Sequence, residues 1–114
     1  MKVLVCGSRH FNNYELLKEK LDAYKIDTII HGNARGCDTL AGRYGEETGK
    51  DVRSFSAQWG VYGRAAGPIR NSEMLREGNP DLVVAFKGPN SRGTQNMINL
   101  AKKADVPTII VDVE

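Results

Sequence analysis

Sixteen basic side chains are divided evenly between arginine and lysine in this 114-residue chain, but the two types are placed differently. Five arginines stand in short glycine-bearing segments: Arg9 in "GSRHF", Arg35 in "HGNARGCD", Arg64 and Arg70 in "GRAAGPIRN", and Arg92 in "GPNSRGT". Lys18, Lys20, Lys25, Lys102 and Lys103 fall instead where helical periodicity turns them to solvent. A planar guanidinium matches phosphate or carboxylate oxygens, and glycine lets backbone N–H groups approach an anion closely. Helix N-termini add positive partial charge. One such segment would carry little weight, because loops tolerate both residues, but four in succession point to anion binding, phosphate above all.

Other side chains offer chemistry of a weaker kind. Asp38 and Glu73 are the carboxyls nearest these segments; both suit the ends of helices, Asp38 as a cap or ribose-hydroxyl acceptor and Glu73 as an early-turn acid. Cys37 with His31 as base would make a nucleophile, but the cysteine shares an apolar stripe with Leu40 and Tyr44 and reads as a small buried residue. Trp59 offers either a stacking face for a base or an anchor for its loop, and Phe11 and Tyr62 pose the same choice. His10 and His31, without a CxxC pair or a carboxylate cluster, fall short of a metal site. The expectation is no tightly bound cofactor, with magnesium entering only alongside a nucleotide.

The elements that must position these groups follow from periodicity. Short runs rich in β-branched residues at Val3–Cys6, Thr28–Ile30, Val52–Phe55, Leu82–Phe86 and 108–111 read as strands, three of them without the polar alternation of a half-solvated sheet. Between them, Leu17, Leu21 and Tyr24 share one helical face, as do Cys37, Leu40, Ala41 and Tyr44, and later Met97, Ile98, Ala101 and Ala104. Asn12 followed by Glu15 resembles a capping box, with a helix starting near Asn13. Strand and helix alternating throughout predict an α/β fold: a Rossmann-like three-layer sandwich, its five-stranded sheet mostly parallel and helices on both faces. In such a sheet the strand-to-helix loops leave from one edge, so the arginines are expected to gather at one crevice. The segment from about Ser56 to Pro68 reads as a long functional loop holding one wall of it.

Bulk properties bound the function. Sixteen basic against fourteen acidic residues leave +2, too balanced for a nucleic-acid or membrane binder by overall charge. No apolar run approaches the ~20 residues of a membrane helix, and "MKVLVCGSRHF" is too short for a secretory leader. Two cysteines outside any CxxC pair fit a reduced, cytoplasmic protein.

In order along the chain, "CGSRHF", "HGNARGCDTLA", "QWGVYGRAAGPIRNSEML" and "GPNSRGTQNM" resemble the signature blocks of the SLOG superfamily, in its small YspA-like branch of bacteria and phages. Its more distant relatives are the lonely guy phosphoribohydrolases and the DNA-processing protein DprA. The resemblance covers nearly the whole chain and implies a single nucleotide-binding domain over residues 1–114. Its ligand would be a phosphorylated nucleotide or an NAD- or ADP-ribose-derived molecule. It also implies a homodimer or higher oligomer. Carried onto this chain, it assigns ligand contacts to Gly7, Ser8 and Arg9, to Gly32, Ala34, Gly36 and Asp38, to Arg70 and Asn71 ahead of the third helix, and to Gly93 and Thr94 opening the fourth. Arg35, Arg64, Arg92 and Trp59 join them from the reading of the loops.

Three departures bear on activity. Gln58 stands where the branch usually has aspartate before the tryptophan, "GPNSRGT" is longer than the usual glycine-glycine-arginine turn, and Met97 occupies the position of the phosphoribohydrolases' catalytic glutamate. Methionine neither stabilises an oxocarbenium-like state nor moves a proton. Capture of the ligand, by a sensor or sequestering module, is therefore expected ahead of N-glycosidic hydrolysis. Binding of single-stranded nucleic acid comes last, since it needs a basic track. Arg70→Ala is expected to weaken nucleotide binding with little loss of stability.

Overall fold

Val3, Leu4, Val5 and Cys6 offer no polar side chain to solvent, so the strand they form must be covered on both faces. The computed structural model describes residues 1–113 and places that strand, β1 (Lys2–Gly7), at the centre of one sheet. Its other strands are β2 (Thr28–His31), β3 (Asp51–Ser54), β4 (Leu82–Lys87) and β5 (Thr108–Asp112), in the order β3-β2-β1-β4-β5. Every pairing is parallel, with Val3 aligned to Ile29 on one side and to Leu82 on the other. The architecture is α/β and Rossmann-like, its sheet parallel throughout.

Side chains alternate across β1 and divide the core in two. Val3 and Val5 pack with Ile29, Val84 and Phe86 beneath helices α1 (Tyr14–Leu21) and α2 (Cys37–Glu47), which contribute Leu17, Leu21, Cys37, Ala41 and Tyr44. Leu4 and Cys6 pack with Ile30, Val83 and Ala85 on the opposite face. That face is covered by Met74 from α4 (Ala66–Gly78) and by Met97, Ile98 and Ala101 from α5 (Arg92–Lys103). The edge strands are less covered: Arg53 of β3 and Ile109 and Ile110 of β5 are exposed. No helix among the described residues is long and apolar enough to cross a membrane.

Three local expectations change. Asn13, not Asn12, caps α1, its side chain accepting the Leu16 N–H at 3.1 Å; the helix begins at Tyr14 and ends before Tyr24. The stretch from Ser56 to Pro68 is not one irregular loop. It folds as a single helical turn, α3 (Trp59–Tyr62), then a 3₁₀ turn (Gly63–Ala65) that runs directly into α4. Pro68, third in α4, sits where the missing N–H would have had no intrahelical acceptor. Arg70 and Asn71 therefore lie inside α4 rather than ahead of it.

Candidate functional site

In the order β3-β2-β1-β4-β5 the chain reverses direction between β1 and β4, so the loop leaving β1 and the loop leaving β4 part toward opposite faces and open a crevice at their C-terminal ends. The loop after β1 is held at its root, because the Ser8 N–H donates to the Phe86 carbonyl at 3.1 Å. Across the crevice the Gly88 N–H donates to Ser91 Oγ at 3.2 Å, and a Cβ at Gly88 would begin 3.1 Å from that of Ser8. The two loops are thus in contact.

The loop after β2 joins them through a glycine. Gly36 has φ +74°, and a side chain there would strike the carbonyls of Ser8 and Arg9. Only a residue without Cβ allows the Cys37 N–H to reach the Ser8 carbonyl at 3.1 Å, which sets the start of α2 against the β1 loop. Gly7 is equally tight, since a Cβ there would lie 2.7 Å from Cys37 Sγ. Further round, Asn33 Nδ2 donates to Ser56 Oγ at 3.0 Å and ties the β2 loop to the one after β3.

Arg70 and Asn71 close the circle. Arg70 Nη1 donates to the Gly32 carbonyl, and to that of Phe55 at 3.5 Å, while Nε donates to Asn71 Oδ1 at 3.1 Å. A Cβ on Gly32 would occupy the guanidinium's place. Asn71, buried, donates to Asn96 Oδ1 at 2.9 Å and to the Gly93 carbonyl at 3.3 Å. Arg70, expected to matter little for stability, is half-buried and bridges two strand ends.

Donors without an acceptor stand at two helix starts, where Asp38 and Thr94 are themselves buried and Thr39 and Gly93 exposed. The N–H groups of Asp38 and Thr39 in the first turn of α2, and of Gly93 and Thr94 in the first turn of α5, meet no acceptor among the described residues. Arg9, Arg35, Arg64 and Arg92 are exposed, and none forms an ion pair among those residues. Ala34 is half-buried in the β2 loop, and its N–H donates to Asp38 Oδ2 at 3.2 Å. Trp59 is 60% exposed on α3, its ring 3.3 Å from where a Cβ on Gly67 would stand, so the indole both covers the start of α4 and offers a face to solvent.

The acids and the thiol are sorted by their surroundings. Asp38 does not cap α2, whose cap is Gly36; it closes the preceding turn through the Ala34 N–H. Burial pushes its carboxyl up to about 6, against the pull of the Ala34 and Gly32 N–H groups and Arg70. Glu73 stands mid-helix in α4, past the first turn where the dipole would favour an acid. Cys37 is fully buried, and that burial raises its thiol well above the ordinary range and disfavours the thiolate a nucleophile needs. His31 Nδ1 accepts the Asn33 N–H at 2.9 Å, and burial together with Arg70 lowers its pKa. Phe11 stacks on Phe86 in the core, centroids 5.2 Å apart, and Met97 is fully buried, so neither lines the crevice.

Sequence reasoning missed Asn33 and Ser56, which join the β2 and β3 loops, Ser91, which braces the β4 loop from within, and Asn96, which ties α5 to α4. A run of small amides and hydroxyls inside glycine-rich segments was the only signal they gave. A profile of the YspA, cpYpsA-related SLOG family matches residues 1–62. Gene 61 protein of Mycobacterium phage D29 is 34% identical over 119 aligned residues, covering 95% of this chain and 94% of its own.

Proposed function

The chain belongs to the YspA, cpYpsA-related SLOG family, and from that premise we propose that it captures a phosphorylated nucleotide or an NAD- or ADP-ribose-derived small molecule. The ligand lies in the crevice between the β1 and β4 loops. The observation that carries this reading is the unmet donor set: four backbone N–H groups at two helix starts, beside exposed arginines without carboxylate partners. Oxygen-rich anions satisfy such donors, and a diphosphate has enough oxygens to engage both helix starts together. Arg9, Arg35 and Arg92 take the phosphates, Arg64 flanks them from the 3₁₀ turn, and the exposed face of Trp59 serves a base.

Hydrolysis is the second reading, and Asp38 is the observation that favours it, since a carboxyl pushed up toward neutrality suits an acid catalyst. Its engagement with the Ala34 N–H, inside a closed turn, favours a positioning role and hence capture. Calorimetric titration with AMP, NAD and ADP-ribose, each with and without magnesium, tests both. Arg9→Ala and Arg92→Ala should each weaken binding about tenfold with unchanged melting temperature, the usual scale for a charge-assisted hydrogen bond. Product formation that disappears in Asp38→Asn would establish hydrolysis instead. Failure of every phosphorylated nucleotide to bind would overturn both readings.

A further inference from the structure

β5 is the outer strand at one end of the sheet, and its one charged side chain, exposed Asp112, stands at its last position. The opposite edge, β3, is four residues long and carries exposed Asp51 and Arg53, which oppose pairing with another strand. β5 reads "TIIVD", with Ile109 and Ile110 each 40% exposed and no proline, bulge or basic residue within it.

Its hydrogen-bond parity is fixed by β4. The Val83 N–H donates to the Pro107 carbonyl and the Val113 N–H to the Lys87 carbonyl, both at 2.9 Å, so the odd-numbered residues of β5 spend their backbone groups on β4. Thr108, Ile110 and Asp112 consequently turn both N–H and C=O outward. Unpaired groups on every second residue, with an apolar residue at the middle, are what an antiparallel neighbour requires.

We propose that β5 pairs antiparallel with β5 of a second copy of this chain, about a two-fold axis at Ile110, joining the two sheets into one. Ile110 faces its own counterpart as a hydrogen-bonded pair, Thr108 faces Asp112 of the second copy, and Ile109 faces Val111 in the non-hydrogen-bonded positions. This register uses all five residues of the strand and sets no like charges opposite each other. Moving the axis to Ile109 or Val111 keeps the parity but carries one end of each strand past its partner. The arrangement is isologous, so it closes at two copies.

Sedimentation and light scattering over a range of protein concentrations test it. The wild-type chain is expected at twice its 12.6 kDa mass. Ile110→Lys, which sets two ammonium groups opposite each other on the axis, should bring it to the monomer mass with unchanged circular dichroism. Ile110→Cys should form an intermolecular disulfide under mild oxidation, because facing hydrogen-bonded residues stand about 5.5 Å apart at Cα, within disulfide reach. Asp51→Cys on the other edge should not. A monomeric wild-type chain overturns the proposal, as does a dimer that persists in a folded Ile110→Lys. Should that variant fail to fold, the disulfide decides: none at position 110 in a dimeric protein assigns the contact elsewhere.

Discussion

Arg70 donates to the Gly32 and Phe55 carbonyls and to Asn71 while half-buried, so its truncation leaves acceptors at two strand ends without a donor. Arg70→Ala should therefore lower stability by roughly 1–3 kcal/mol, the scale for hydrogen bonds from a charged group, and lower the melting temperature with it. Arg70→Lys should recover only part, since an ammonium cannot reproduce the fork. Chemical denaturation of the two variants measures this. Asp38 supplies a pH signature of its own. Its carboxyl holds a proton up to about 6 in the folded chain against an ordinary 3.8, so the native state binds more protons between those values. The contribution of Asp38 itself to stability is accordingly full below about pH 4 and is lost, by roughly 2–3 kcal/mol, as pH rises through about 6. Asp38→Asn should abolish that decline in urea unfolding at stepped pH; parallel curves for variant and wild type would show that no such proton is held. Both side chains stood out in the sequence by type, but their partners are carbonyls and amides of other loops, which no spacing along the chain encodes.

Loops and helix starts depend on where the backbone must pass close to itself. Gly36 holds φ +74° against the β1 loop, and Gly36→Ala adds both left-handed strain and a collision with the Ser8 and Arg9 carbonyls. A loss of about 2 kcal/mol or more is expected by thermal or urea unfolding, with ligand affinity falling as the β1 loop is displaced. The strands were legible because β-branched runs such as Leu82–Phe86 admit few other readings, and α2 and α5 because their apolar stripes are unbroken. The start of α1 slipped by one residue because Asn12 and Asn13 are both good caps, and only the bond to Leu16 separates them. The helix at 66–78 was missed at its beginning. Gly63, Gly67 and Pro68 interrupt every helical template there, and what steadies the turn is contact at a distance, Trp59 over Gly67 and Arg70 on Gly32.

The whole molecule distributes charge in a way its net +2 conceals. Arg9, Arg35, Arg64 and Arg92 are carried by segments on the C-terminal side of the sheet. Several of the carboxylates that balance them belong to ion pairs elsewhere, as with Arg43–Glu47 and Lys18–Asp22 on the outer surfaces of α2 and α1. Total charge is blind to this asymmetry, whereas alternation of strand and helix together with the handedness of crossovers made it foreseeable. The strand order was not fixed by either, and it alone decides that β5 ends at an edge. The same layering seals Cys6 on one side of the sheet and Cys37 on the other, both buried. Sulfur-directed reagents thus find almost nothing native to attack, and a thiol engineered onto the outside of this protein would carry a dye or spin probe against a silent background.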